Sequence, residues 1–215
     1  MHQSIAFISI LLLTATQPKA DSPPPKSVDL SAEQSAVVYD MGIAVQEIPN
    51  PEKPGKTYEA TALFHGTLDQ AYAVLSDYKR YPEFMPDVHK VKIIGHEGDA
   101  TIANYTLKLP LGIMKKYRLK LWSERGDKRV VLYWEKVSWD GLKKSETLVD
   151  TTGYWLLEPA TKEGYVVARY HAYTDPGKIP TGFGWIVNSL TKDSLPKLMK
   201  ATRKRIETLY YGKPK

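Results

Sequence analysis

Between Val88 and Thr174 the chain passes through six short runs of strand character, and one long amphipathic helical segment follows them. The clearest run is Lys115–Ser123, where Tyr117, Leu119 and Leu121 alternate with Lys116, Arg118 and Lys120. A period of two with one wet face is the pattern of a half-buried antiparallel strand. Thr101–Leu109 alternates in the same way, with Ala103, Tyr105, Leu107 and Leu109 on one side. Val88–His96, Arg129–Val137, Leu148–Leu157 and Tyr165–Thr174 complete the series, and Gly, Asp and Pro between the runs suit a meander. A sheet of this kind must cover its apolar face. The cover is expected from the last segment, Phe183 to about Tyr211, with Leu195, Leu198, Met199, Thr202, Ile206 and Leu209 on one helical stripe. Pro196 should kink or divide that helix. The fold class that follows is α+β: a curved antiparallel sheet wrapped around a long C-terminal helix, with a cavity between them.

The earlier part of the chain adds two strands and two short helices. Residues 31–47 read as a β-rich segment, and PNPEKPGK after them marks a turn. Tyr58–Gly66 reads as a second strand leading into a helix. Thr67 is the expected N-cap, and Leu68, Ala71, Tyr72 and Leu75 form the apolar face. A second short helical turn covers Tyr78–Met85, interrupted by Pro82 and closed by Pro86.

Ile5–Ala15 is an apolar run of signal-peptide length, too short to span a bilayer. Residues 1–20 are therefore read as a signal peptide, 21–30 as a Pro-rich linker and 31–215 as one folded domain. The expected location is the periplasm or the exterior, through a cleaved signal, with an uncleaved anchor as the alternative. The chain has no cysteine, which excludes disulfides, thiolate metal sites and cysteine nucleophiles. From Asn188 onward eight Lys and Arg face two acids, so this segment carries the whole net charge of +6. Lys192, Lys197, Lys200, Arg203 and Lys204 make a basic face suited to peripheral contact with anionic lipid headgroups. Such a face can also meet nucleic acid or simply be solvated; no nucleic-acid partner is expected of an exported protein.

Motifs for the commoner chemistries are missing. Gly55-Lys56-Thr57 ends like a phosphate loop, but Asn50 stands where a Gly is required and Pro51 and Pro54 occupy the loop. The five histidines do not fall at metal-ligand spacing, and neither cofactor nor metal is expected. Arg169 and His171 share one face of a strand and would hold a ligand's anionic or hydroxyl group if that face were the inner one. The opposite face, Val166, Ala168, Tyr170 and Ala172, suits packing under a helix better. Tyr and Trp number 14 and 5 against 4 Phe. Such rings can line a cavity while fixing a few hydrogen bonds.

Three segments resemble a known superfamily. Ala71–Pro86 (AYAVLSDYKRYPEFMP) is similar to a signature of START-like proteins, which include the polyketide cyclase/dehydrase-like proteins of the SRPBCC group. Asp175-Pro176-Gly177-Lys178-Ile179-Pro180, with Asn188 beyond it, resembles the approach to the final helix in START domains, with Lys178 where a second Gly is usual. Gly153, Trp155, Leu157 and Pro159 match the strand before it. The resemblance implies a helix-grip fold and a hydrophobic cavity under the C-terminal helix. On that reading Tyr105, Leu107, Tyr117, Leu119, Tyr133 and Trp155 would wall the cavity, with Arg169 as a polar contact. Phe183, Trp185 and Asn188 would form a lid hinged at Pro180–Gly184. The expected function is noncatalytic binding and carriage of a lipid or other hydrophobic small molecule. An aromatase/cyclase-type enzyme and a ribosome-associated module are the alternatives.

Overall fold

A computed structural model describes residues 30–177 and 192–212 of the chain. Eight strands form one antiparallel sheet: β1 (Ile43–Ile48), β2 (Lys56–His65), β3 (Val88–Glu97), β4 (Ala100–Lys108), β5 (Met114–Gly126), β6 (Arg129–Val137), β7 (Asp150–Pro159) and β8 (Tyr165–Asp175). Their order is β1-β2-β8-β7-β6-β5-β4-β3, so β3 to β8 make the expected meander and β2 closes on its last strand. Helix α2 (Leu68–Ser76), a 3-10 turn at Tyr78–Arg80 and the short helix α3 (Tyr81–Phe84) connect β2 to β3. Helix α4 (Leu195–Tyr210) lies against β2 and α2. The architecture is the expected α+β arrangement of a curved sheet gripping a C-terminal helix.

Local chemistry explains the elements. Thr67 accepts a hydrogen bond from the Gln70 N–H, and the Gln70 side chain accepts one from the Thr67 N–H, at 3.2 and 3.0 Å. This reciprocal box satisfies two backbone donors that a helix start otherwise leaves open. It aims Ala71, Val74 and Leu75 into the core.

The same device corrects the reading of residues 31–47. Ser31 and Gln34 make a second capping box, and Ala32–Tyr39 is a helix, α1. The strand β1 takes only the end of that segment, from Ile43 on. Helix α1 covers the outer face of the sheet, where Val38 packs with Ala44 and Leu63. The two prolines each stand where a 3-10 turn gives way to a helix, after Tyr78–Arg80 and after Lys192–Ser194. Pro82 and Pro196 both stand in the first turn of their helices, α3 and α4, where an absent N–H costs nothing. Pro196 therefore begins the described helix and does not kink it; residues 178–191 lie outside the described residues.

Along α4 the buried positions are Leu195, Met199, Thr202 and Ile206. The stripe stops there: Leu209, in the last turn, is 52% exposed. Arg203 ties the helix to the rest of the fold. Its guanidinium donates to the carbonyl oxygens of Leu63, Met41 and Gly42 at 2.9, 2.8 and 3.3 Å.

Candidate functional site

The inner face of the sheet, α3 and α4 enclose a cavity of about 150 Å³. Each strand contributes alternate residues, as the pleat requires. Tyr105 and Leu107 come from β4, Tyr117, Leu119 and Leu121 from β5, and Leu132 and Trp134 from β6. Thr151 and Trp155 come from β7, and Tyr170 and Thr174 from β8. Tyr78, Tyr81, Met85 and Leu198 close the helical side. The more exposed lining residues, Pro86, Asp87, Val88, Ser194 and Leu198, mark the mouth.

The aromatic rings are packed against one another. Tyr105 and Tyr117 stack with centroids 5.7 Å apart, and Tyr170 stacks on Trp134 at 5.0 Å while meeting the edge of Trp155 at 4.8 Å. Tyr81 spends its hydroxyl on the Leu75 carbonyl, fixing α3 to the end of α2. Tyr105 is 3% exposed and its hydroxyl finds no hydrogen-bond partner among the described residues. Burial pushes the phenols of Tyr78, Tyr81, Tyr105, Tyr117 and Tyr170 above their ordinary range, so all five are protonated at neutral pH. At the mouth, desolvation raises the carboxyl of Asp87, with Lys197 acting against it.

Of the wall residues expected from the sequence, Tyr105, Leu107, Tyr117, Leu119 and Trp155 are brought together here. Tyr133 and Arg169 are not. Tyr133 borders the cavity between Leu132 and Trp134, but its ring points to the outer face. There it stacks on Trp122 at 5.2 Å, and its hydroxyl donates to Glu124. Arg169 lies on the same outer face, 3.5 Å from Glu59, which His171 approaches at 3.3 Å. The outward reading of Arg169 and His171 is thus the observed one, and Arg169 is no cavity contact. Phe183, Trp185, Asn188 and the Pro180–Gly184 hinge lie outside the described residues. Sequence reasoning passed over Trp134, Leu132, Tyr170, Tyr78, Tyr81 and Met85 as cavity residues. The alternation in β6 and β8 carries the first three, and the Ala71–Pro86 signature carries the others.

The outer face has its own order. Gln46, Glu59, His171, Tyr154, Tyr133 and Trp122 are register partners across β1, β2, β8, β7, β6 and β5. Glu59 is 1% exposed, covered by Gln46, Arg169 and His171, and Tyr154 stacks on His171 at 4.8 Å. The faces of these rings are spent largely on each other. Among the described residues no group of His, Asp and Glu is arranged to hold a metal.

A one-sheet helix grip with an apolar, tyrosine-lined cavity under its last helix defines a START-like domain. The chain belongs to the polyketide cyclase/dehydrase and lipid transport family, whose sequence model matches residues 66–177. Solved structures agree on the fold. A STAR-related lipid transfer protein fragment from Xanthomonas axonopodis is 19% identical with a TM-score of 0.66, covering 77% of this chain and 94% of its own. Human StAR-related lipid transfer protein 5 is 14% identical with a TM-score of 0.67, covering 79% and 84%. The Zhui aromatase/cyclase from Streptomyces sp. R1128 is 13% identical with a TM-score of 0.57, covering 80% and 100%. Among curated proteins no sequence matches this one.

Proposed function

We propose that the protein binds and carries a lipid or other hydrophobic small molecule in this cavity. The observation that carries the proposal is the lining: leucines, two tryptophans and tyrosines between the inner sheet face and α4. A concave, mostly apolar site with a few hydroxyls is the composition expected of a small-molecule site. The fold alone supports both a carrier and a cyclase, because lipid transfer proteins and an aromatase/cyclase share it. The carrier reading is preferred because the residues suited to acid–base chemistry, Arg169 and His171, lie on the outer face against Glu59.

At about 150 Å³ the cavity is smaller than the roughly 300–1,000 Å³ of drug-sized ligand pockets. A full-length lipid therefore enters only if lining side chains such as Met85 and Leu198 turn aside. Native mass spectrometry of protein purified from its own host tests the reading. Co-purified or vesicle-derived hydrophobic molecules are expected. Repeated absence of both would sink it.

Two further parts belong to the proposal. The carrier works outside the cytoplasm, in the periplasm or beyond, on the strength of the Ile5–Ala15 run; fractionation of the host decides that. Its membrane contact uses Lys192, Lys197, Lys200 and Lys204, all exposed, with the last three on one face of α4. Arg203 is removed from that set, since its guanidinium is committed to three backbone carbonyls. Binding to anionic vesicles that weakens steeply with salt is expected.

A further inference from the structure

Resting on the carrier reading, we propose that the cavity selects an uncharged ligand bearing one hydrogen-bond-accepting oxygen, received by tyrosine hydroxyls around Tyr105, and rejects carboxylates. The chemical class is a neutral oxygenated apolar molecule: an ester, ketone, ether or alcohol on a hydrocarbon frame.

Charge comes first. Among the described residues that line the cavity there is no Lys, Arg or His, and the one carboxylate, Asp87, stands at the mouth. An anionic headgroup drawn inside would lose its water and meet no cation among the described lining residues, and an apolar site does not repay that loss. The acidic residue at the mouth adds repulsion. Of the basic residues nearby, Lys197 offsets Asp87 at the mouth but does not line the cavity, and the others are committed elsewhere. Lys115, on the inner side of β5, gives its ammonium to the Ser145 and Thr147 carbonyls at 2.8 and 3.3 Å. Arg203 is held by backbone carbonyls as described above, and Arg205 pairs with Glu83 at 2.9 Å.

The hydroxyls come second. Tyr105 sits between Tyr117, stacked at 5.7 Å, and Tyr81, edge-on at 6.4 Å. The Tyr81 hydroxyl is spent on Leu75. The Tyr105 hydroxyl is buried and has no hydrogen-bond partner among the described residues. A buried hydroxyl without a partner destabilises the fold, and a phenylalanine would keep the ring stacking without that penalty. The hydroxyl is accounted for if an incoming oxygen accepts its proton. These phenols are protonated and act as donors, so the complementary group is an acceptor, and the absence of a cation among the described lining residues makes a neutral one the better fit. Leu107, Leu119, Leu121, Leu132 and the faces of the tryptophan rings supply dispersion and fit the hydrocarbon part.

The test uses the full chain and three short probes of matched length: octanoate, methyl octanoate and n-nonane, with affinities read by native mass spectrometry and by displacement of a fluorescent hydrophobe. The ester is expected to bind at least tenfold more tightly than the carboxylate at neutral pH. Tyr105→Phe is expected to lower ester affinity by about three- to tenfold, the value of one hydrogen bond, and to leave n-nonane unchanged. Near-UV circular dichroism confirms that the variant keeps its packed aromatics, and Tyr170→Phe probes a second hydroxyl of the same cavity. Equal binding of octanoate and methyl octanoate overturns the inference while leaving a carrier. So does a Tyr105→Phe loss that is the same for ester and alkane, or no loss at all. If none of the three probes binds, the carrier reading itself falls, and this inference with it.

Discussion

Gly153 on β7 and Trp134 on β6 are register partners, and the indole of Trp134 occupies the space that a side chain on Gly153 would need. A Cβ at position 153 would overlap both that ring and the His171 carbonyl oxygen. The glycine thus lets Trp134 lie flat against the sheet, where it stacks on Tyr170 and forms the floor of the cavity.

Gly153→Ala is accordingly an overpacking mutation. Either the β7–β8 ladder or the Trp134 ring must shift, at a cost of about 1–3 kcal/mol. A lowered thermal midpoint together with changed tryptophan fluorescence is expected. An alanine variant as stable as the parent would show that the ring has free space elsewhere.

Arg203 and Lys204 are neighbours with opposite fates. Arg203→Ala strands three carbonyl oxygens that its guanidinium now serves. Urea unfolding should show a loss of about 2–4 kcal/mol, since hydrogen bonds to charged groups are the stronger kind. Lys204→Ala, at an exposed position, should stay within about 0.5 kcal/mol of the parent. It should weaken attachment to anionic vesicles instead. Equal stability losses at the two positions would contradict the geometry.

Glu59 is buried between Arg169 and His171 on the outer face. Removing it as Glu59→Ala takes the buried carboxylate away from Arg169 and His171 and should cost about 3–5 kcal/mol. Ligand affinity of the folded fraction should not change, because the cluster lies across the sheet from the cavity. A loss confined to ligand binding would return Arg169 to the site.

Asp87 offers a pH test. Its ordinary value of 3.8 is raised on folding by desolvation. A carboxyl shifted upward favours the folded state while protonated. Its contribution is full below that ordinary value and is lost as pH rises through the raised one. Asp87→Asn keeps the left-handed backbone that φ of 62° demands, since asparagine tolerates that region, and removes the titration. The variant should match the parent in acid and gain a small advantage as pH rises above the raised value. A difference that grows toward acid would reverse the assignment.

Much of this molecule is legible from residue order alone. Arg129–Val137 is β6 to the residue, and Thr67 caps α2 as its position before an apolar period indicates. Helix α1 was hidden because Val37, Val38 and Tyr39 have strand preference. The Ser31–Gln34 box that starts it is the signal that overrides this. For Pro196 the residue order left a kink and a division open, because a proline's position within a helix is known only when the helix start is known; the helix described begins at Leu195.

The sequence by itself determined the period of each strand, and hence which residues share a face, and it determined the family through Ala71–Pro86, the Gly153–Pro159 pattern and Asp175–Pro180. Tertiary structure alone decided which face is inner. In β6, Leu132 and Trp134 alternate with Val131 and Tyr133, and both sets are apolar. Periodicity yields parity but no sign when each face carries aromatics. The sign comes from register: Tyr133 pairs with Tyr154 and Trp122 in the outer row, which turns Trp134 inward onto Tyr170. The same holds for adjacent cations on α4. A step of one residue rotates the side chain by about 100°, so Arg203 reaches the carbonyls of β2 and of the turn before β1 while Lys204 is left in water.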